Sequence, residues 1–309
     1  MKTLSLLFLL SSLATAEPVW KQDGKRTLDL SGVDGVLVRF VLDAAPRDPH
    51  FETLATADGR NLVWVAPPDH VWHYGLWFSW KAINGVNFWE TDKSGRQQGR
   101  NEVMDPVIES EPGADTAVIR YRERAFPDPE GPAVLEDVVE IQITRPRGDA
   151  GPVVEWKVTT TALADVVLDR TPPPGEPGGR DWGGYGGFSW RGAEDFKEAR
   201  VLDSKGRRDQ AIHRQHASWV NVEGRLGGKP AGLLIVDHPA NPRHPASWYV
   251  TMIPRQPFWY ANPAVLQPAP LKLAKGESID HRYLVIPHDG GWSSERCDEA
   301  AEGFGSSGG

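Results

Sequence analysis

Apolar residues along this chain come in short runs, and most of the runs alternate with polar residues at period two. In VVEWKVTTTAL (153–163), Val154, Trp156 and Val158 share one face while Glu155, Lys157 and Thr159 take the other, which predicts a half-buried strand. GVLVRFVLD (35–43), ADTAVIRYRERAF (114–126) and VLEDVVEIQIT (134–144) read the same way. GLLIVDH (232–238) is continuously apolar before its polar end, the pattern of a central strand covered on both sides. Two hairpins are predicted. One lies in FETLATADGRNLVWVA (51–66), turning at Asp58-Gly59, and one in PLKLAKGESIDHRYLVIP (270–287), turning at Ala274–Glu277. Helical periodicity is confined to SERCDEAAEG (294–303), with 304–309 expected to be a flexible tail. RTPPPGEPGGRDWGGYGG (170–187) is a long Pro/Gly insertion, and strands of the same type resume after it, so it is expected to border a site rather than join two domains. No repeat of fixed period is evident. The expectation is one all-β domain over 17–303, a large antiparallel β-sandwich.

The first residues change the picture of where this domain works. MKTLSLLFLLSSLATAEP places one lysine before an apolar run from Leu4 to Leu13 and small residues at Ala14-Thr15-Ala16. Residues 1–16 thus read as a cleavable secretory signal peptide, too short to span a bilayer and without a lipobox cysteine. A secreted or periplasmic location follows, and no later segment is apolar enough for a membrane span. A net charge of −8 disfavours nucleic acid as a partner, since that affinity rests on clustered Lys and Arg. The single cysteine, Cys297, excludes an internal disulfide and a thiol metal cluster.

Candidate chemistry gathers in three segments. In PPDHVWHYGLWFSWKAINGVNFWE (67–90), the prolines end a strand and put Asp69, His70 and His73 on a loop, where sites commonly form. His-x-x-His permits a metal site completed by Asp69 or Asp237, but two imidazoles leave the third ligand unfixed. Acid–base work or hydrogen bonding to a substrate is the other reading. Strand parity sets Trp77 with Ser79 and Phe78 with Trp80 on opposite faces. One ring-bearing face then suits a flat ligand such as a sugar, with Trp77, Trp80, Asn84 and Trp89 as candidate contacts. In DWGGYGGFSWR (181–191), Tyr185, Trp190 and Arg191 are candidates, Arg191 either clamping a ligand anion or bridging a buried acid. In VDHPANPRHPASWYV (236–250), Asp237 and His238 end the central strand and Asn241 lies on a proline-stiffened loop.

These segments, with LAKGESIDHRYLVIPHDG near the end, resemble a family of exported bacterial proteins of unknown function that carries a methane-oxygenase-like label (PmoA/DUF6807). Where the family pattern has paired histidines before Arg-Gly, this chain has Trp72-His73-Tyr74-Gly75. The resemblance implies a large sandwich similar to the galactose-mutarotase type and an association with glycan breakdown. The label itself conflicts with the chain, because a methane oxygenase subunit sits in a membrane and works with copper. The expected function is therefore a carbohydrate-active enzyme acting at a glycosidic bond or anomeric centre. Its catalytic candidates are Asp69, His70, His73, Asp237 and His238, and no cofactor is implied. A non-catalytic glycan-binding protein and a metal-dependent enzyme using His70 and His73 are the alternatives.

Overall fold

The computed structural model describes residues 17–42, 48–92, 94–128 and 130–306; the expected leader, 1–16, lies outside them. Two antiparallel sheets face each other. The first has nine strands, in the spatial order Val19–Asp23, Thr27–Gly32, Gly35–Val41, His50–Leu54, Leu76–Ser79, Gly187–Arg191, Phe258–Pro263, Ser247–Ile253 and Gln215–His216. The second has eight, in the order Lys197–Asp203, Trp219–Leu226, Lys229–Asp237, Ser278–His288, Val153–Ala162, Leu135–Thr144, Thr116–Phe126 and Arg100–Glu109. A four-stranded patch of short strands flanks them: Leu271–Leu273, Val166–Asp169, Ala82–Ile83 and Val86–Asn87. The all-β sandwich expected from the period-two pattern is the architecture found, and no helix among the described residues is long and apolar enough to cross a membrane.

The core lies between the two large sheets and is made by alternate residues. Leu76 and Phe78, Phe188 and Trp190, Trp259 and Ala261, and Trp248 and Val250 point inward from the first sheet. Ile119, Tyr121, Val139, Ile141, Trp156 and Val158 meet them from the second. Both outward faces carry a smaller apolar cluster. On the second sheet, Trp219, Leu234 and Val236 are covered by Cys297 and Phe304 of the helix Ser294–Ser306. That helix runs past Gly303, and Phe304, placed in the expected tail, is buried. Its aromatic surface is what prolongs the helix over two glycines of weak helical preference.

Both predicted hairpins are only half realised. The Asp58-Gly59 turn forms, with Gly59 at a φ of 85°, and the arms meet at an Ala55–Asn61 bridge, but further along the second arm makes isolated bridges to Gly192 and Tyr74 in place of a regular strand. The turn at Ala274–Glu277 also forms. Its first arm, however, pairs with Val166–Asp169, because Ser278–His288 is already flanked by Val153–Ala162 and Lys229–Asp237. GLLIVDH does lie in a central strand, between Trp219–Leu226 and Ser278–His288.

Candidate active site

The outward face of the first sheet carries the second small cluster, and it is almost wholly aromatic: Tyr74, Trp77, Trp89, Tyr185, Tyr249 and Tyr260 with Ala264. Trp77, Ser189, Arg191, Tyr249 and Tyr260 reach this face because their neighbours in sequence face the core. The register sets them side by side, Ser189 opposite Trp77 and Arg191 opposite Tyr260. The Tyr260 hydroxyl lies 2.9 Å from Ser189 Oγ, which accepts a hydrogen bond from Asn262 Nδ2, so the tyrosine is locked in place.

The loop before strand Leu76–Ser79 supplies the titratable groups. Backbone turns from His70 N–H to the Pro67 carbonyl and from His73 N–H to the His70 carbonyl, both at 3.0 Å, bring the two imidazoles together. Their rings stack with centroids 4.6 Å apart, and His73 stacks in turn on Tyr260 at 5.2 Å. Gly75 closes the turn at a φ of 71°, where a Cβ would stand 2.5 Å from the Phe51 carbonyl oxygen. Only glycine fits that close approach.

A cleft of about 180 Å³ opens here, lined by His70, Trp72, His73, Glu90, Trp182, Tyr185, Tyr249, Phe258 and Tyr260. His73 is only 2 % exposed, and neither of its ring nitrogens has a hydrogen-bond partner among the described residues. Burial pushes its pKa well below the ordinary value, helped by the charges of His70, Arg191 and Lys81, so its imidazole is neutral. His70 is lowered too, chiefly by burial and against the pull of Asp69. Its Nδ1 stands 3.2 Å from Asp69 Oδ2, close enough for electrostatic attraction but not aligned as a hydrogen bond.

Two buried cations hold the two carboxylates of the site. Arg191, fully buried, donates from Nη2 to both Asp69 oxygens at 3.0 and 2.9 Å, and its guanidinium lies 4.1 Å from the Phe258 ring centroid. Burial alone would raise the Asp69 carboxyl, but the Arg191 hydrogen bonds and charge outweigh it and hold the group below its usual range. Lys81 Nζ sits 2.5 Å from Glu90 Oε1 and 4.8 Å from the Tyr185 ring centroid. Glu90 is likewise pushed up by burial and pulled further down by Lys81 and by Asn87, whose Nδ2 donates to Oε2 at 2.8 Å. Asn87 also accepts the Trp89 and Glu90 backbone N–H groups at 2.8 and 2.9 Å, a local turn that aims the carboxylate.

The expected residues therefore separate into two groups. Asp69, His70, His73, Trp77, Trp89, Tyr185 and Arg191 come together in or directly beneath the cleft. Arg191 takes the bridging role, paired to Asp69. Trp80 and Trp190 belong to the inner core, and Trp190 Nε1 donates to the Leu62 carbonyl. Asn84 holds a left-handed turn with a φ of 52° and is bonded to Val167 N and the Asp165 carbonyl. Asp237, His238 and Asn241 do not line the cleft. Asp237 accepts from Asn241 Nδ2 (2.7 Å) and Ala246 N (2.9 Å) and contacts His244 Nδ1 (2.8 Å), a closed knot that fixes its own loop. His238 packs edge-on against Phe304 of the helix at 4.9 Å. Among the described residues no group of three or more His, Cys, Asp or Glu converges as a metal site requires.

Lys81, Trp72, Trp182, Tyr249, Phe258 and Tyr260 are site residues that the sequence reading passed over. The alternation in FWYANP (258–263) was the available signal, since it sets Phe258, Tyr260 and Asn262 on one face.

A family model described as "Family of unknown function (DUF6807)" matches residues 28–302, and the chain belongs to that family. No curated protein matches it. Among solved structures, a TPR-domain containing protein from Parabacteroides distasonis ATCC 8503 aligns at 13 % identity and a TM-score of 0.24. The alignment covers 88 % of this chain and 47 % of that one, so this chain spans about half the length of that protein.

Proposed function

We propose that this member of the DUF6807 family is an exported carbohydrate-active protein that takes a sugar ring into the aromatic cleft and performs acid–base chemistry at its anomeric centre. His73 carries the reading. A buried polar group without a partner costs about 1–3 kcal/mol, and here two ring nitrogens of one buried imidazole are unpaired beside ring walls. A neutral imidazole offers one donor and one acceptor, which suits it to exchange a proton with a sugar hydroxyl or ring oxygen. The walls of Trp72, Tyr185, Tyr249, Phe258 and Tyr260 offer flat faces to the C–H face of a pyranose. Glu90, kept ionised by Lys81, is the second group, acting as base or as an anchor for a hydroxyl pair.

Hydrolysis through a carboxyl pair is less well supported. Protonating a leaving oxygen needs a carboxyl with a raised pKa, and both Asp69 and Glu90 are lowered by their cations. The same observation favours a second reading, a glycan-binding protein without turnover.

Anomer exchange followed by NMR, run beside reducing-end release on a glycan panel, tests the proposal with His73→Ala and His73→Gln. Loss of turnover by about 10²–10⁴-fold with binding kept within a few-fold is the expected result. Saccharide binding without turnover in the natural protein would select the second reading. Turnover untouched by either substitution refutes the role of His73.

A further inference from the structure

The geometry points to a second sugar-stacking position on Trp182, at the rim of the cleft, so that the ligand is a disaccharide or longer chain. This rests on the sugar reading of the cleft and extends it. The cleft, at about 180 Å³, falls below the roughly 300–1,000 Å³ of sites that enclose drug-sized ligands and suits about one hexose ring. Any further ring of a glycan must therefore lie at the mouth.

Trp182 is at that mouth. Of the 13 tryptophans in the chain it alone stands among the exposed large apolar residues, 54 % exposed, while it also lines the cleft. A single exposed indole on a mobile loop would mean little. This one is held on both sides. Arg214 Nη2 donates to the Asp181 carbonyl at 2.7 Å and the Gly183 carbonyl at 3.3 Å, bracketing the tryptophan. The Gly183 N–H donates to the Arg180 carbonyl at 2.8 Å, and the Gly184 N–H to the Thr171 carbonyl at 2.9 Å. Gly183 packs so closely that a Cβ would meet the Pro172 carbonyl oxygen at 2.1 Å. The Arg180 guanidinium lies over the indole, 5.7 Å from its centroid, and adds hydrogen-bond donors close to the ring. An exposed indole on a pinned loop backbone, with a guanidinium over one face and continuous with an aromatic cleft, matches a sugar ring next in line to the one inside, stacked on the indole face turned away from Arg180.

Calorimetry on the full protein tests this with the methyl glycosides of glucose, galactose, mannose and xylose, and with the matching disaccharides and trisaccharides. The natural protein should bind at least one disaccharide about 3- to 10-fold tighter than the corresponding methyl glycoside. Trp182→Ala should erase that increment and weaken methyl glycoside binding by a clearly smaller factor than disaccharide binding, whereas Trp182→Phe should keep most of the increment. Equal affinity for one ring and two, or an equal loss on both from Trp182→Ala, overturns the second position while the cleft reading stands. No binding to any saccharide overturns both.

Discussion

Replacing Asp137 by asparagine should make the protein less sensitive to rising pH, because three carboxyl groups are buried together inside the sandwich. Asp137 and Glu123 face each other directly across neighbouring strands, and Asp48 joins them. All three are at least 93 % buried, and among the described residues none forms an ion pair with a basic side chain. Thr160 Oγ1 donates to Asp137 at 2.5 Å and Asn101 Nδ2 to Asp48 at 2.8 Å, while Glu123 Oε1 has no partner among the described residues. Burial pushes Asp137 up to about 7 and Asp48 up to about 6, and pushes Glu123 well above its ordinary value. Below pH about 4 the folded and unfolded chains both hold these protons, and the linkage costs nothing. Between about pH 4 and 7 the unfolded chain releases its proton from residue 137 while the folded one keeps it, so stability falls with rising pH. Roughly three pH units at 1.36 kcal/mol each give an upper limit of about 4 kcal/mol for this one group. Asparagine can still accept from Thr160 but cannot ionise. Urea unfolding of both proteins from pH 4.5 to 8 should show the variant gaining on the natural protein as pH rises, by about 2–4 kcal/mol at the top of the range. Titrating groups away from this trio are common to both chains and cancel in the difference, while Glu123 loses the raising influence of the Asp137 charge and adds to the variant's gain. A difference that stays flat across that range would refute the reasoning.

Lys81→Met removes the cation that holds Glu90 ionised and leaves burial opposed only by the Asn87 hydrogen bond and the weaker influence of His70. The acid limb of the pH–activity profile should then move toward neutrality, by about 1–3 pH units, in anomer-exchange or binding assays run across pH. Phe304→Ala should cost about 3 kcal/mol by emptying the contact between the terminal helix and His238. Thermal unfolding reads the loss directly, and hydrogen exchange should show the helix opening ahead of the sheets.

Much of the sandwich was legible because period-two alternation is a local property. The parity that set Trp77 apart from Phe78 holds in the structure, and the faces of Val154, Trp156 and Val158 fall where the pattern puts them. Partner choice is non-local, and there the reading fell short. The Ala274–Glu277 turn was visible, yet nothing near it announces that Leu271–Leu273 pairs with a strand a hundred residues earlier. The site divides in the same way. The loop carrying Asp69, His70 and His73 is contiguous, and Arg191 sits in a recognisable Gly-rich segment. Lys81 looks like an ordinary surface lysine in sequence, and only folding brings Glu90, Trp89 and Tyr185 around its ammonium. Asp237 and His238 misled because a polar pair after a buried strand marks a loop anchor as readily as a site.

The alternation of the first sheet has an evolutionary corollary. Trp77, Ser189, Tyr249 and Tyr260 turn outward, and each is flanked in the chain by a residue that turns inward. Recognition and cohesion are thus written in alternate letters of the same short words. On the proposed sugar reading, a change of preference can proceed by respelling every second letter, while a one-residue insertion in any of these strands would scramble both messages at once.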